Sequence, residues 1–255
     1  MSVNTPPALP SDLEAGLRRL KLAAIRRQAP QVLVTAKTQR WTPEETLRVL
    51  VDAEVTARDE SNMATRMKAA RFPVEKTLTE FNQAESSIPP ATHDYLVTLD
   101  WIRQADNLCL VGPAGTGKTH YLIALGTAAV QAGQRVRYYT AIELVETLWR
   151  ALADNTVGKT IEGICRNNLI IIDEIGFAPL DHTGCQLLFR LVSAAYEKRS
   201  LAIASHSPFE DWGRFLPDQP TAVSLLDRLC HHAHIITTSG QSYRLTHRTT
   251  RGGHT

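Results

Sequence analysis

The sequence of 255 residues has little cysteine, almost no net charge and no long hydrophobic run. Its four cysteines are scattered and form no C-x-x-C pair, which favours a reduced cytosolic protein. A formal net charge of +2 is too small to indicate nucleic-acid binding by itself. No apolar run approaches the ~18 residues that a membrane-spanning helix requires, and the N-terminus has no signal-peptide pattern. We therefore expect a soluble cytoplasmic protein with no membrane partner.

Residues 112–119 form a complete phosphate-binding loop with the sequence G-P-A-G-T-G-K-T. The segment matches G-x-x-x-x-G-K-[ST] at every fixed position. A short apolar strand is predicted before it, and an apolar helix is predicted after it. In such a loop the backbone amides turn toward phosphate oxygens, and the helix N-terminus adds partial positive charge. The sequence therefore predicts binding of a nucleoside triphosphate, with ATP and Mg²⁺ as cofactors.

Two residues of this loop have predicted chemical roles. We expect Lys118 to reach the β- and γ-phosphates, and we expect the Thr119 hydroxyl to complete the magnesium shell. The whole nucleotide-binding set is predicted to be Gly112, Pro113, Ala114, Gly115, Thr116, Gly117, Lys118, Thr119 and His120.

An apolar run that ends in two carboxylates, L-I-I-I-D-E, occupies residues 169–174. This pattern is typical of a strand buried on both faces of a parallel sheet, with its acidic end at the edge where ligands bind. Asp173 is predicted to hold magnesium through water, and Glu174 is predicted to polarise the attacking water. A kinase of small metabolites could share the loop but would not need the second carboxylate. Hydrolysis is therefore favoured over phosphotransfer.

The N-terminal part of the chain carries helix signals. S-D-L-E at residues 11–14 has the pattern of a capping box and predicts a helix to about residue 28. T-P-E-E at residues 42–45 is a second such box and predicts a helix to Arg71. We predict a small all-helical domain at residues 1–72 and a proline-punctuated linker at residues 73–90.

From residue 91 onward, strand and helix signals alternate, which indicates an α/β domain with a parallel sheet and crossover helices. This domain is assigned to residues 91–245, and a flexible basic tail is predicted at residues 246–255. A crossover helix is predicted at residues 183–198. Strands are predicted at residues 109–111, 136–139, 169–172, 201–205 and 235–237.

The chain resembles the IstB-type insertion-sequence helper ATPases, a bacterial AAA+ family related to the helicase loader DnaC. The matching residues include 107–120 and 170–176, and the loop motif in the first of these segments is shared by many NTPases. More particular are D-R-L-C-H-H at residues 227–232 and G-Q-S-Y-R at residues 240–244. Further matches are S-P-F-E-D-W at residues 207–212 and R-F-P at residues 71–73.

The resemblance implies a P-loop AAA+ domain and an ATP-dependent helper of transposition. Such a protein assembles with ATP as a homo-oligomer on double-stranded DNA, largely regardless of sequence. It recruits and stimulates a partner transposase, and ATP hydrolysis controls disassembly. A DnaC-like replicative helicase loader is the alternative within this fold, and a small-molecule phosphotransferase is the alternative from another class.

The resemblance also implies catalytic roles for Arg228 and His206. In AAA+ proteins an arginine after the fourth strand commonly reaches the γ-phosphate bound by the neighbouring subunit, and Arg228 matches that position. The alternative is an ion pair with Asp227 or another acid of the same chain. The family's fourth strand usually ends in Ser-Asn, whose amide positions the attacking water. His206 stands at the asparagine position, where a neutral imidazole could hydrogen-bond water or have no catalytic part.

Five basic residues are predicted DNA contacts. Arg66, Lys68 and Arg71 belong to the most concentrated basic stretch of the chain. Lys159 and Arg166 occupy the region where related initiator ATPases touch DNA. The alternative for all five is a solvated surface.

The segment C-H-H-A-H at residues 230–234 suggests a zinc site. Adjacent ligands rarely converge on one ion, whereas spaced pairs such as C-x-x-C do. A turn into the last strand is therefore the favoured interpretation.

Overall fold

The computed structural model describes residues 6–240, which divide into two compact units between Thr65 and Arg66. The first unit contains α1 (Ser11–Arg19), α2 (Ala23–Gln39) and most of α3 (Pro43–Ala70). The predicted helical character of the N-terminal region is thus confirmed. The predicted domain boundaries at residues 72 and 90 stay predictions, and the predicted tail lies outside the described residues.

The start of α3 has the predicted capping box. The Thr42 amide donates to Glu45 Oε2 at 2.7 Å, and the Glu45 amide donates to Thr42 Oγ1 at 3.2 Å. Two amides that have no partner within the helix are satisfied in this way. The helix then continues to Ala70, close to its predicted end.

The first predicted helix is wrong in two respects. Ser11 is already helical, Pro10 is the residue before the helix, and no side chain caps this end. The helix also ends at Arg19 rather than near residue 28, because α2 starts anew at Ala23. The reason is a distant side chain, since Glu54 Oε2 accepts hydrogen bonds from the amides of Ala24 and Ile25 at 2.8 and 3.1 Å.

The second unit is an α/β domain. None of the helices within residues 6–240 is long and apolar enough to cross a bilayer. The remaining elements, in chain order, are α4 (Pro90–Val97), α5 (Asp100–Arg103), β1 (Asn107–Val111), α6 (Lys118–Gln131), β2 (Val136–Thr140), α7 (Ala141–Ala153), α8 (Val157–Ile164), β3 (Leu169–Ile175), α9 (His182–Ala195), β4 (Ser200–Ser205), α10 (Gln219–Cys230) and β5 (Ala233–Thr237).

The five strands form one parallel sheet in the order β2-β3-β4-β1-β5. All five predicted strands are present, each with one to three additional residues at its ends. In the register, Val111 lies opposite both Ser205 and Thr237, and Thr140 lies opposite Asp173. The carboxyl ends of all five strands therefore meet at one edge of the sheet, which we call the carboxyl edge.

Apolar side chains cover both faces of this sheet. Along β3, Ile171 packs with α6 residues such as Leu122 on one face. Its neighbours Ile170 and Ile172 pack with α9 residues such as Leu188 on the other. The unbroken apolar run of β3 thus follows from burial on two sides.

The segment before α4 packs on the α/β domain. Its short 3₁₀ turn at Leu78–Glu80 is capped by Thr77. The Phe81 ring that follows lies 4.7 Å from the Tyr121 ring of α6, measured between centroids. Part of the predicted linker therefore contributes to the core beside the phosphate-binding loop.

The Glu54 contacts generate a prediction on stability and pH. Burial alone would raise the pKa of Glu54, but hydrogen bonds from Ile25, Arg58 and Ala24 lower it below 4.5. A carboxyl whose pKa is lowered by folding stabilises the fold above its ordinary pKa, and this contribution is lost as the pH falls through the folded value.

We expect Glu54→Gln to unfold at lower urea concentration than the parent at pH 7, because the amides of α2 lose a charged acceptor. The difference should shrink as the pH falls from about 4.5 through the lowered pKa of folded Glu54, because the parent carboxyl then becomes neutral like the glutamine amide. Urea unfolding followed by circular dichroism at pH 7 and at lower pH measures the difference in stability and its pH dependence. The exposed Glu60→Gln on the same helix is the control, and an equal loss of stability in the two variants would contradict the assignment.

Candidate functional site

The phosphate-binding loop connects β1 to α6 at the carboxyl edge. Gly112 has a φ of 148°, and a Cβ added there would lie 2.1 Å from the carbonyl oxygen of Thr238. Gly117 has a φ of 88° and ends the loop at the N-terminus of α6. The first glycine is thus required by both backbone conformation and space. Thr119 and His120 lie in the first turn of α6, whose free amides favour an anion.

The ammonium group of Lys118 lies inside this loop. Its Nζ donates to the carbonyl oxygens of Gly112 and Pro113 at 2.6 and 2.7 Å. The side chain is buried, so its charge faces the interior of the loop rather than bulk solvent. A buried cation held by two backbone carbonyl oxygens of the loop is suited to an anionic ligand such as a triphosphate.

Thr238 is a loop contact that the sequence analysis did not find. Its amide donates to the Val111 carbonyl at 2.7 Å, and its Oγ1 lies 2.8 Å from Thr116 Oγ1. The residue follows β5, which pairs with β1, so the end of one strand stands beside the loop that leaves the other. Only the strand order could have indicated this contact.

The two carboxylates at the end of β3 have opposite environments. Asp173 is buried, whereas Glu174 is exposed. The pairing with β4 is irregular between Ile172 and Ile175, and Glu174 has a left-handed φ of 60°. This irregularity turns the second carboxylate out of the sheet. One acid is therefore fixed in the fold and the other is accessible to water.

Both carboxylate oxygens of Asp173 have donors. The Tyr138 hydroxyl donates to Oδ2 at 2.9 Å, and the Glu174 amide donates to Oδ1 at 2.8 Å. Burial raises the pKa of Tyr138, and the Asp173 carboxylate raises it further, so the hydroxyl stays a donor. Tyr138 was missed because its role depends on the pairing of β2 with β3.

His206 lies between the two motifs. It follows β4, the strand that separates β1 from β3, so it stands between the phosphate-binding loop and the acidic end of β3. Its side chain is exposed, and its ring lies 6.5 Å from the ring of Phe177 in an edge-on arrangement. The position and exposure are compatible with contact to water.

Arg228 lies near the C-terminal end of α10 and makes no ion pair within residues 6–240. Its guanidinium carbon lies 4.9 Å from the centroid of the Phe189 ring, and Nη1 donates to the Ser224 carbonyl at 3.3 Å. The alternative pair with Asp227 is thus not formed. Because α10 runs from the carboxyl edge back to the start of β5, Arg228 lies toward the opposite edge of the sheet from its own phosphate-binding loop.

The five basic residues predicted to contact DNA fall into two segments. Arg66 and Lys68 lie in the last turns of α3, and Arg71 directly follows that helix. Lys159 lies in α8, and Arg166 lies just after it. Arg66 is half-buried, and the other four are exposed. Four of the five side chains are therefore accessible to a phosphate backbone.

His120 lies in the first turn of α6, directly after the phosphate-binding loop. Burial lowers its pKa, and the charge of Lys76 lowers it further. Its ring packs edge-on against Phe81, with centroids 5.6 Å apart. A neutral His120 thus contributes packing beside the loop rather than positive charge.

The sequence matches known proteins over almost its whole length. The family model of the IstB-like ATP binding proteins matches residues 15–251. The ATP-binding protein of insertion sequence IS21 from Pseudomonas aeruginosa is 34% identical over 235 residues, which cover 92% of this chain and 89% of that protein. The corresponding protein of IS5376 from Geobacillus stearothermophilus is 31% identical over 228 residues, covering 89% and 91% of the two chains.

The fold also matches solved structures. AMPPCP-bound DnaA from Aquifex aeolicus superposes with a TM-score of 0.53 at 20% identity, and the match covers 68% of this chain and about half, 53%, of that one. DnaI superposes with a TM-score of 0.52 at 16% identity, covering 65% and 92%. At these identities the likeness concerns the fold alone, and it confirms the predicted α/β fold with a phosphate-binding loop, a parallel sheet and crossover helices.

The contact between Tyr138 and Asp173 generates a prediction on metal binding. We expect Tyr138→Phe to bind an ATP analogue normally without metal but to need at least ~10-fold more Mg²⁺ for full binding, the lower range for loss of a group that orients a metal ligand. The removed hydroxyl is the only atom that differs, and it holds Oδ2 of Asp173 in place.

The measurement is an equilibrium titration of Mg²⁺ into the complex with a fluorescent, non-hydrolysable ATP analogue. Tyr139→Phe is the matched control, because Tyr139 is the next residue of β2 and packs on the other face. An unchanged Mg²⁺ midpoint in Tyr138→Phe would show that the hydroxyl does not orient Asp173.

Proposed function

Because the chain belongs to the family of IstB-like ATP-binding proteins, we propose that it is an ATPase that assembles with ATP on double-stranded DNA and recruits a transposase. Hydrolysis of the bound ATP would then control disassembly. The observation that carries the proposal is the arrangement at the carboxyl edge, where the loop of Lys118 and the divergent pair Asp173 and Glu174 meet.

The residues at this edge fit ATP and magnesium. Thr119 and the buried carboxylate of Asp173 offer hard oxygen ligands, which magnesium prefers. The ion would supply neutralisation of the phosphate charge during transfer. The loop amides and Lys118 would hold the triphosphate, and the exposed Glu174 would accept a proton from water. His206 would help to orient that water.

The family relation favours transposition over the alternatives. Both close relatives are named for insertion sequences, and each aligns over about nine-tenths of this chain. The likeness to DnaI is one of fold alone, at 16% identity. The exposed second carboxylate at Glu174 supports hydrolysis rather than phosphotransfer to a small molecule.

Two substitutions separate binding from hydrolysis. Lys118→Ala should weaken ATP binding, because the loop loses its charge. Glu174→Gln should retain binding and slow hydrolysis by at least ~100-fold, the lower range for loss of a general base. Titration with a fluorescent ATP analogue measures binding, and release of phosphate from ATP measures hydrolysis. The exposed Glu162→Gln is the control, and hydrolysis by Glu174→Gln at the parent rate would show that another group activates water.

DNA binding is tested by its dependence on salt and nucleotide. If binding is through phosphates, affinity should fall steeply with salt, vary little with sequence and increase with ATP. Removing Lys159 and Arg166 together should reduce the salt slope by about 1 for each lost phosphate contact. Lys37→Ala, an exposed cation on α2, is the control. A DNA affinity that changes with neither salt nor ATP would contradict the proposal.

The position of Arg228 supports a role across a subunit interface. We expect Arg228→Ala to bind ATP normally and to hydrolyse it ~10³-fold more slowly, the size reported for an arginine acting in trans. Added Lys118→Ala subunits carry an intact Arg228, so mixed assemblies should regain activity.

The rescue is measured as the rate of phosphate release from ATP in mixtures of the Arg228→Ala and Lys118→Ala variants. Arg190→Ala on the neighbouring helix α9 is the control for loss of a surface arginine. Absence of rescue while the mixed oligomers still form would show that Arg228 acts within its own subunit or not at all.

A further inference from the structure

A cluster of three metal-binding side chains lies where α9 and α10 end. One ligand atom each from Glu197, His231 and His232 lies within 4.8 Å of the others. Oε1 of Glu197 and Nε2 of His232 are 3.5 Å apart. Tetrahedral zinc with bonds of about 2.0–2.1 Å separates its ligands by about 3.4 Å, so this pair needs little movement to share an ion.

The cluster lies away from the proposed nucleotide site. Glu197 precedes β4, and His232 is the last residue before β5, so both stand where strands begin. The phosphate-binding loop and Asp173 stand where strands end. An ion in this cluster would therefore be distinct from the magnesium ion of the nucleotide.

The surroundings of the cluster favour a cation. The C-terminal ends of both α9 and α10 point toward it, and helix C-termini carry partial negative charge. The Tyr196 hydroxyl lies 2.8 Å from Nδ1 of His231, an outer contact of the kind that fixes the ring of a metal-binding histidine.

The backbone conformation of Glu197 adds a second observation. Its φ is 55°, a left-handed conformation that a glutamate rarely adopts. The turn that follows α9 is closed by hydrogen bonds from the amides of Lys198 and Arg199 to the Ala195 carbonyl, both 2.9 Å. The turn after α9 brings the Glu197 carboxylate to the two histidines that follow α10.

From this geometry we propose that Glu197, His231 and His232 form a zinc site that joins the ends of α9 and α10. Two imidazoles and one carboxylate are a typical ligand set for zinc, and they suit magnesium and calcium poorly. All three side chains are exposed, so water can complete the coordination. The sequence pattern suggested ligands from residues 230–234 alone. In the structure the cluster instead includes Glu197 and does not include Cys230 or His234.

The test uses the full chain, freed of metal by a chelator and then dialysed, without ATP. Isothermal titration calorimetry with Zn²⁺ should show one site of micromolar or tighter affinity. Zn²⁺ should also raise the melting temperature of the protein. Co²⁺ should give the visible absorption of a four- or five-coordinate ion. His231→Ala, His232→Ala and Glu197→Gln should each weaken Zn²⁺ binding at least tenfold.

Two controls make the outcome specific. His234→Ala removes the next histidine, which lies 3.5 Å from Asp106 instead, and should bind Zn²⁺ like the parent. Unchanged melting temperatures of the metal-free variants would show that the exposed substitutions leave the fold intact. Absence of a stoichiometric site in the parent, or equal Zn²⁺ affinity in the parent and the three variants, would overturn the proposal.

Discussion

The parallel pairing of β3, β4 and β1 is the constraint on which the candidate site depends. Each motif is local in sequence, but the phosphate-binding loop and the acidic strand end are far apart along the chain. The register brings Val111 beside Ser205, and β4 continues this alignment to β3. A slip of one residue would shift the end of a strand by about 3.3 Å, so the acidic end of β3 and the phosphate-binding loop would lose their alignment. The chemistry at the carboxyl edge is therefore set by hydrophobic packing on both faces of the sheet.

The same topology separates the proposed functions between the two edges of the sheet. Crossover helices start at the carboxyl edge and end at the other, so α9 and α10 carry their last residues away from the phosphate-binding loop. Arg228 and the cluster around His231 both lie near such helix ends. A group that serves a neighbouring subunit must face away from its own nucleotide, and this placement of Arg228 satisfies that requirement. Stacking on Phe189 holds the guanidinium without neutralising its charge.

The parts of the site that lie within one motif were predictable from the sequence. The loop at residues 112–119 is contained in one short segment of the chain, and so is the acidic end of β3 at Asp173. The sequence of each segment was therefore enough to predict its local structure. Tyr138 and Thr238 were missed because each contact requires the order of the strands. The helix predicted to residue 28 was wrong for the same reason, since Glu54 provides the acceptor for the start of α2. At such points tertiary contacts override the local sequence signals. Here the buried Glu54 carboxylate determines where α2 begins.

Asp173 and Glu174 show how two adjacent carboxylates of the same charge acquire different environments, each suited to its proposed role. Asp173 is desolvated, which is tolerable because two donors satisfy its oxygens. Such a carboxylate is held in one orientation, as a metal ligand must be. Glu174 keeps its hydration and its freedom, as a group that exchanges a proton with water must. The left-handed backbone at Glu174 is what allows both environments in consecutive residues, because a regular strand would place the second side chain on the opposite, equally buried face of the sheet.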